Sequence, residues 1–272
     1  MCDSLVVLEF ESEEVMRSAK LYWLILLILT AITIAAAQGV QPARQTPDAL
    51  QAYYDRGLLK IEAGRYEEAA DIYQELIRLG PDFAEAYCEL GYAYAKLSRY
   101  QEAIDSLRRA LRLRPGMAQA YNNLSYVYLM LGEPGQAAEN GQRAIRLQPD
   151  YPEAYLNLGM AYAQQGHLRA AVETLERALG LKPDFAAAYY NLGYVYGLEG
   201  RYKKSIEAYR KSLLLKPDFA EARRNLAIMY MSAGRRSLAL EQYQALKSLD
   251  DGMARELFMK LYKDKITDVR GR

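Results

Sequence analysis

Four asparagines recur at intervals of 34 residues: Asn123, Asn157, Asn191 and Asn225. An amide side chain carries both a donor and an acceptor, so a row of them can pair with peptide bonds without reading sequence. Beside this row stand Tyr92, Tyr126, Met160, Tyr190 and Tyr194. Together they read as a mixed aromatic and apolar floor suited to the side chains of an extended or helical peptide. Two plainer readings stay open. The asparagines can be solvated residues with no ligand, and part of the floor can pack against its neighbours. Catalytic chemistry has little to start from. Cys2 and Cys88 are the only cysteines and His167 the only histidine, which excludes a Cys-rich zinc module and any site needing two imidazoles. No Gly-rich phosphate loop, metal-spaced cluster or serine elbow occurs. Cys88 reads as a small buried or groove residue, and His167 as a surface turn residue. No catalytic residue, metal site or cofactor is expected.

The elements that position the row follow from the same interval. Pro81, Pro115, Pro149, Pro183 and Pro217 are also 34 residues apart. Counting from Leu50 gives six units: 50–83, 84–117, 118–151, 152–185, 186–219 and 220–253. The asparagines fall at place six of the last four; Asp55 and Glu89 hold that place earlier. Place four is Tyr53, Tyr87, Tyr121, Tyr155 and Tyr189. Place eight is small, from Gly57 and Gly91 to Ser125, Gly159 and Gly193. Place eleven is tyrosine from Tyr94 to Tyr230, and place twenty is small again. A large residue at four, a small one at eight and a tyrosine at eleven share one helical stripe. Gly64, Ser98, Gly132, Gly166, Gly200 and Gly234 mark a turn inside each unit. Each unit is thus predicted to be a helix–turn–helix hairpin whose second helix ends at the proline; the last unit lacks the proline and has Asp251 instead.

Two local expectations go with this scheme. Asp82, Asp150 and Asp218 stand three residues before Glu85, Glu153 and Glu221, the spacing of a capping box at the start of a first helix. Gly135 and Gly141 fall in the second helix of unit three. Gly141 replaces the large residue of other units, so segment 134–147 is expected to open most easily.

The columns resemble the tetratricopeptide repeat family. The run Ala154, Tyr155, Leu156, Asn157, Leu158, Gly159, Met160, Ala161, Tyr162 carries its pattern almost complete. The resemblance covers the six units at 50–253. It implies an all-α, right-handed superhelical solenoid with a concave groove lined by the first helix of each unit. The row of asparagines resembles one that holds peptide backbone in the superhelix of O-GlcNAc transferase. The family's clamp for a peptide C-terminus looks absent, because Tyr54 and Leu58, or Cys88 and Tyr92, stand where Lys and Asn are needed. A stack of hairpins needs capped ends. Residues 254–266 supply a capping helix, with Leu257, Phe258, Leu261 and Tyr262 as its apolar stripe and 254–272 as cap and tail.

The N-terminal part differs. Residues 21–37 carry no charge, follow Arg17 and Lys20, and end in Ala35, Ala36 and Ala37. That order is a secretory signal starting at Met16. The competing reading is an uncleaved transmembrane anchor over 21–40. Residues 1–15, with five acids and no base, read as a gene-model extension or disordered segment, and 38–49 as a linker. Both main readings put the repeats outside the cytoplasm, exported or anchored at an inner membrane.

With 35 Lys+Arg against 34 Asp+Glu, net charge is +1, which argues against nucleic acid as partner. The expected function is a non-enzymatic scaffold or adaptor that binds a protein or peptide, touching membrane only through residues 21–40 if they are retained. The alternatives are a structural component of an envelope or secretion assembly, and a regulatory repeat arm for a separate catalytic chain.

Overall fold

The computed structural model describes residues 47–270, with side chains as far as residue 260. The N-terminal apolar segment and the proposed start at Met16 lie outside the described residues. Among the described residues, no helix is long and apolar enough to cross a membrane.

Thirteen helices and no strand occur among the described residues. They are α1 Pro47–Glu62, α2 Tyr66–Leu79, α3 Ala84–Lys96, α4 Tyr100–Leu113, α5 Ala118–Met130, α6 Pro134–Leu147 and α7 Pro152–Gln164. Then follow α8 Leu168–Leu181, α9 Ala186–Leu198, α10 Tyr202–Leu215, α11 Ala220–Ser232, α12 Arg236–Lys247 and α13 Asp251–Arg270. Successive pairs from α3–α4 to α11–α12 form hairpins stacked as a solenoid, with α13 against α11 and α12, and α1 meets α2 through Gly57 against Tyr73 and Lys60 paired with Glu68.

The turn inside each hairpin is made by backbone geometry. Gly200 has φ 70°, the left-handed region that costs glycine little. The Arg201 amide then donates to the Tyr196 carbonyl and the Gly200 amide to the Gly197 carbonyl. This closes the last turn of the first helix in a Schellman motif. Ser98, with φ 60°, makes the same turn without glycine. The second helix ends where a proline follows. Arg114, before Pro115, is extended at φ −139°, ψ 93°, the region left to a residue that precedes proline.

The capping-box expectation is not met. Helix α3 begins at Ala84, so Phe83 occupies the cap position and makes no side-chain cap bond. Asp82 stands one residue too early to reach the third amide. Glu85 instead pairs with Arg114 at 2.5 Å, and Glu153 with Lys182 at 3.4 Å. A side-chain cap does form at α13, where Asp250 Oδ1 accepts from the Met253 amide at 2.8 Å.

Within a hairpin the two helices touch through matched sizes. A Cβ added at Gly91 would sit 2.6 Å from Leu107 Cγ, and one at Gly193 would sit 2.9 Å from Tyr209 Cδ1. Unit three reverses the sizes. Ser125 fills the place of the first-helix glycine, donates to the Ala137 carbonyl at 2.7 Å, and faces Gly141 across the hairpin. A Cβ at Gly141 would lie 3.2 Å from both Ser125 Oγ and Leu158 Cβ. The missing side chain at Gly141 therefore leaves no gap, contrary to the reason given for early opening of α6. Close packing of this kind leaves little slack for added atoms.

Between hairpins, the place-eleven tyrosines reach back to the second helix of the preceding unit. Tyr128 accepts from Arg108 at 3.1 Å, Tyr162 from Gln142 at 3.0 Å, and Tyr196 donates to Glu176 at 3.1 Å. Each pair is 20 residues apart. The place-four tyrosines lie under cations of their own second helix, as with Arg109 over Tyr87 and Arg143 over Tyr121, each at 5.8 Å. At the C-terminal end, Ala254 and Leu257 of α13 are buried with Ala227 and Leu246. Phe258, expected in the buried stripe, is 37% exposed, its ring 5.7 Å from Tyr243. The side chains of Leu261 and Tyr262 lie outside the described set.

Candidate functional site

First helices of successive units lie side by side, and places five and six face each other across that seam. Asn157 Nδ2 donates to Asn122 Oδ1 at 2.8 Å, and Asn225 Nδ2 donates to the Tyr190 hydroxyl at 3.2 Å. Asn123, 6% exposed, directs its Nδ2 to Cys88 Sγ at 3.8 Å. Three amides of the row thus join each unit to the one before it. Asn191, half-buried, makes no hydrogen bond among the described residues.

The seam continues as a buried polar patch in units two to four. Glu89 accepts from Gln119 at 2.7 Å, and Asn122 donates to the Tyr151 hydroxyl at 3.3 Å. Burial raises the Glu89 carboxyl above its ordinary range, and the Gln119 bond draws it partly back. Burial, with Glu153, Cys88 and Glu89 nearby, pushes the Tyr151 phenol up to about 12. Burial likewise raises the Cys88 thiol, which leaves it protonated and poorly nucleophilic. His167 is exposed in its turn before α8, 6.5 Å from the Tyr162 ring. Among the described residues, no group of acids, cysteines and histidine is placed to hold a metal.

The aromatic floor falls into two clusters. In the first, Lys96 Nζ lies 5.4 Å from the ring centres of both Tyr92 and Tyr126, and Tyr66 meets Tyr92 edge-on at 6.3 Å. In the second, Tyr190, Tyr194 and Asn225 line one cavity of about 300 Å³ with Leu198, Arg224 and Ile228. Tyr190 also packs on Phe219 at 4.8 Å and Tyr209 at 5.8 Å. Met160 is half-buried between the clusters, and neither it nor Asn191 lines this cavity. Tyr54, in the same column as Tyr190, packs between Tyr73 and Phe83 of its own unit. Met130, Tyr194 and Leu198, all on first helices, are 47%, 40% and 50% exposed.

Sequence reasoning missed Lys96, Leu198, Arg224 and Lys260. Arg224 was readable as an exception: its column otherwise holds Tyr54, Cys88, Asn122, Leu156 and Tyr190. Lys260 lies beyond the repeats and had no column to stand out from.

These features define an all-helical repeat scaffold whose polar seam and apolar clusters lie on the first helices. The chain belongs to the tetratricopeptide repeat family. Models of this repeat match residues 29–84, 54–118 and 88–152, and related ones match 141–173, 159–200 and 186–219. No curated protein matches the chain. Among solved structures, a chain of the APC/C hetero-tetramer Cut9–Hcn1 is similar over 80% of this chain, at 22% identity and TM-score 0.74. Only 44% of that chain is covered, so the present chain spans under half its length. TTC0263, a thermophilic repeat protein of Thermus thermophilus, is 28% identical over 67% of this chain and 99% of its own, with TM-score 0.58. YrrB, described as a repeat protein with an unusual peptide-binding site, is 20% identical over 69% of this chain and 97% of its own, with TM-score 0.50.

Proposed function

We propose that the chain is a non-catalytic scaffold that holds a segment of another protein in a groove along its first helices. The observation that carries this reading is the 300 Å³ cavity formed by Tyr190, Tyr194, Leu198 and Ile228 beside Arg224 and Asn225. Apolar side chains left open beside polar groups are what a peptide needs: burial for affinity, hydrogen bonds for register. Asn191 adds an amide with no internal partner, next to Tyr190. YrrB, which has a peptide-binding site by its description, supports the class of ligand and not its identity.

In this reading Asn123, Asn157, Asn191 and Asn225 line one track, with Tyr92, Tyr126, Met160, Tyr190 and Tyr194 as side-chain subsites. Asn123, Asn157 and Asn225 also hold neighbouring units together, and Asn191 is the amide most open to a ligand backbone. Hydrogen exchange with and without the bound partner tests the proposal. Slowed exchange in α5, α7, α9 and α11, with α6, α8 and α10 unchanged, is the expected outcome. Protection confined to the second helices overturns it. Export remains a separate proposal resting on residues 16–37, tested by the intact mass of the mature protein.

A further inference from the structure

We propose that the C-terminal end of the first-helix face is a subsite for an acidic side chain that neighbours an apolar one in the bound segment. The inference rests on the groove reading above and adds the chemistry of the ligand at one end. Two cavities meet there, one of about 300 Å³ and one of about 290 Å³. Arg224, Asn225 and Ile228 line both. The first is walled by tyrosine and leucine. The second reaches Glu256 and Lys260 of α13.

Arg224 lies near the Tyr190 and Tyr209 phenols but has no carboxylate paired with it. Among the described residues it makes no ion pair, no side-chain hydrogen bond and no ring contact. Its Nε is buried and has no hydrogen-bond partner, a cost that a folded protein normally avoids. Glu221, one turn earlier on α11, and Glu256 across the second cavity both remain outside ion-pair distance of it. The other columns show what the position does elsewhere. The place-five residue of each earlier unit packs or hydrogen-bonds along the seam, as Cys88, Asn122 and Tyr190 do. Arg224 makes no such hydrogen bond.

A carboxylate brought to Arg224 would receive charge-assisted hydrogen bonds from a planar fork of donors. Asn225 and Lys260 flank the same point. The neighbouring apolar side chain would enter the first cavity, against Tyr194 and Leu198, which are 40% and 50% exposed. Two cations against Glu256 leave the second cavity positive on balance. The occupant is therefore an internal Glu or Asp beside a Phe or Leu, lying with its apolar member toward α9 and its acid toward α13.

The test uses the full chain and N-acetylated, C-amidated hexapeptides with Phe-Glu at their centre. Controls carry Phe-Gln, or Phe-Gln with a free C-terminal carboxylate. Amide chemical-shift mapping and affinity are both read. Expected are perturbations at 194, 198, 224, 225 and 260, with the Glu peptide bound at least tenfold more tightly than the amidated Gln control. Arg224→Met should remove that preference, so that the Glu and Gln peptides bind the variant equally. Lys260→Met, on an exposed position where folding is not at stake, should reduce the preference partly. Equal binding of the Glu and Gln peptides, binding only of the free-carboxylate peptide, shifts elsewhere, or no binding at millimolar concentration overturns the proposal. Any of these leaves the groove reading standing if partner protection still maps to the first helices.

Discussion

Asn225 donates its side-chain amide to the Tyr190 hydroxyl across 3.2 Å, 35 residues back along the chain. The contact joins the first helices of two successive units, and Asn157 makes its equivalent to Asn122. Asn225→Ala should therefore cost stability, a net ~0.5–1.5 kcal/mol for one hydrogen bond. Asn191→Ala, which removes no internal bond, should leave the melting temperature unchanged and weaken partner binding. Thermal unfolding of the two variants side by side checks this. Equal losses of stability contradict the assignment.

The glycines of α6 should respond differently to the same change. Nothing lies within 4 Å of a Cβ placed at Gly135, so Gly135→Ala should gain about 0.5–1 kcal/mol of helix propensity. At Gly141 the added Cβ meets Ser125 Oγ and Leu158 Cβ at 3.2 Å. Crowding there should cancel the propensity gain. Denaturant melts of both variants give the comparison, and a larger stabilisation at Gly141 contradicts the size matching described above.

Glu89 gives a pH dependence with a definite sign. Its carboxyl is raised in the folded state, chiefly by burial. At pH below the unfolded carboxylate value, both states are protonated and there is no penalty. As pH rises past that value the unfolded state ionises first, and stability falls until the folded carboxyl ionises too. Glu89→Gln should therefore stabilise the protein at pH 7 and have little effect near pH 3. Urea unfolding at the two pH values measures it, and a benefit that grows toward acid sinks the argument.

Cys88 should be inert while the protein is folded. It is 1% exposed and its thiol is raised by burial. Alkylation at neutral pH should require unfolding and follow its rate. Mass spectrometry of the Cys88 peptide reads this directly, and rapid labelling of the native protein contradicts the burial.

Much of the fold was legible because each repeat imposes the same local constraints. Proline fixed the end of the second helix in the first five units by restricting the residue before it, as at Arg114. Glycine marked every internal turn but Ser98's. Side-chain partners were less legible, because a column fixes the face of a helix and not what stands opposite. The place-eleven tyrosines were read as packing alone, yet their hydroxyls bond one unit back. The asparagine row was read as ligand-facing, and three of its members turn an amide into the seam. Gly141 stood out only as a missing large residue, because its compensating partner, Ser125, lies 16 positions away on the other helix. Arg224 is not marked by any repeating column, because a site at one end of a solenoid depends on the residue that breaks the column.

The central claim is that the exposed apolar side chains of the first helices are where a partner binds. The direct measurement is partner affinity for Tyr194→Asp/Leu198→Asp, beside a control with equally exposed leucines of the second helices changed, Leu181→Asp/Leu215→Asp. All four positions are between 40% and 50% exposed, so folding should survive in both, with circular dichroism as the check. The partner is first isolated by photocrosslinking from position 198. Affinity should fall at least thirtyfold for the first variant, about 2 kcal/mol by the usual conversion, and stay within twofold for the second. Unchanged binding by Tyr194→Asp/Leu198→Asp, or loss only in the control, would contradict the account.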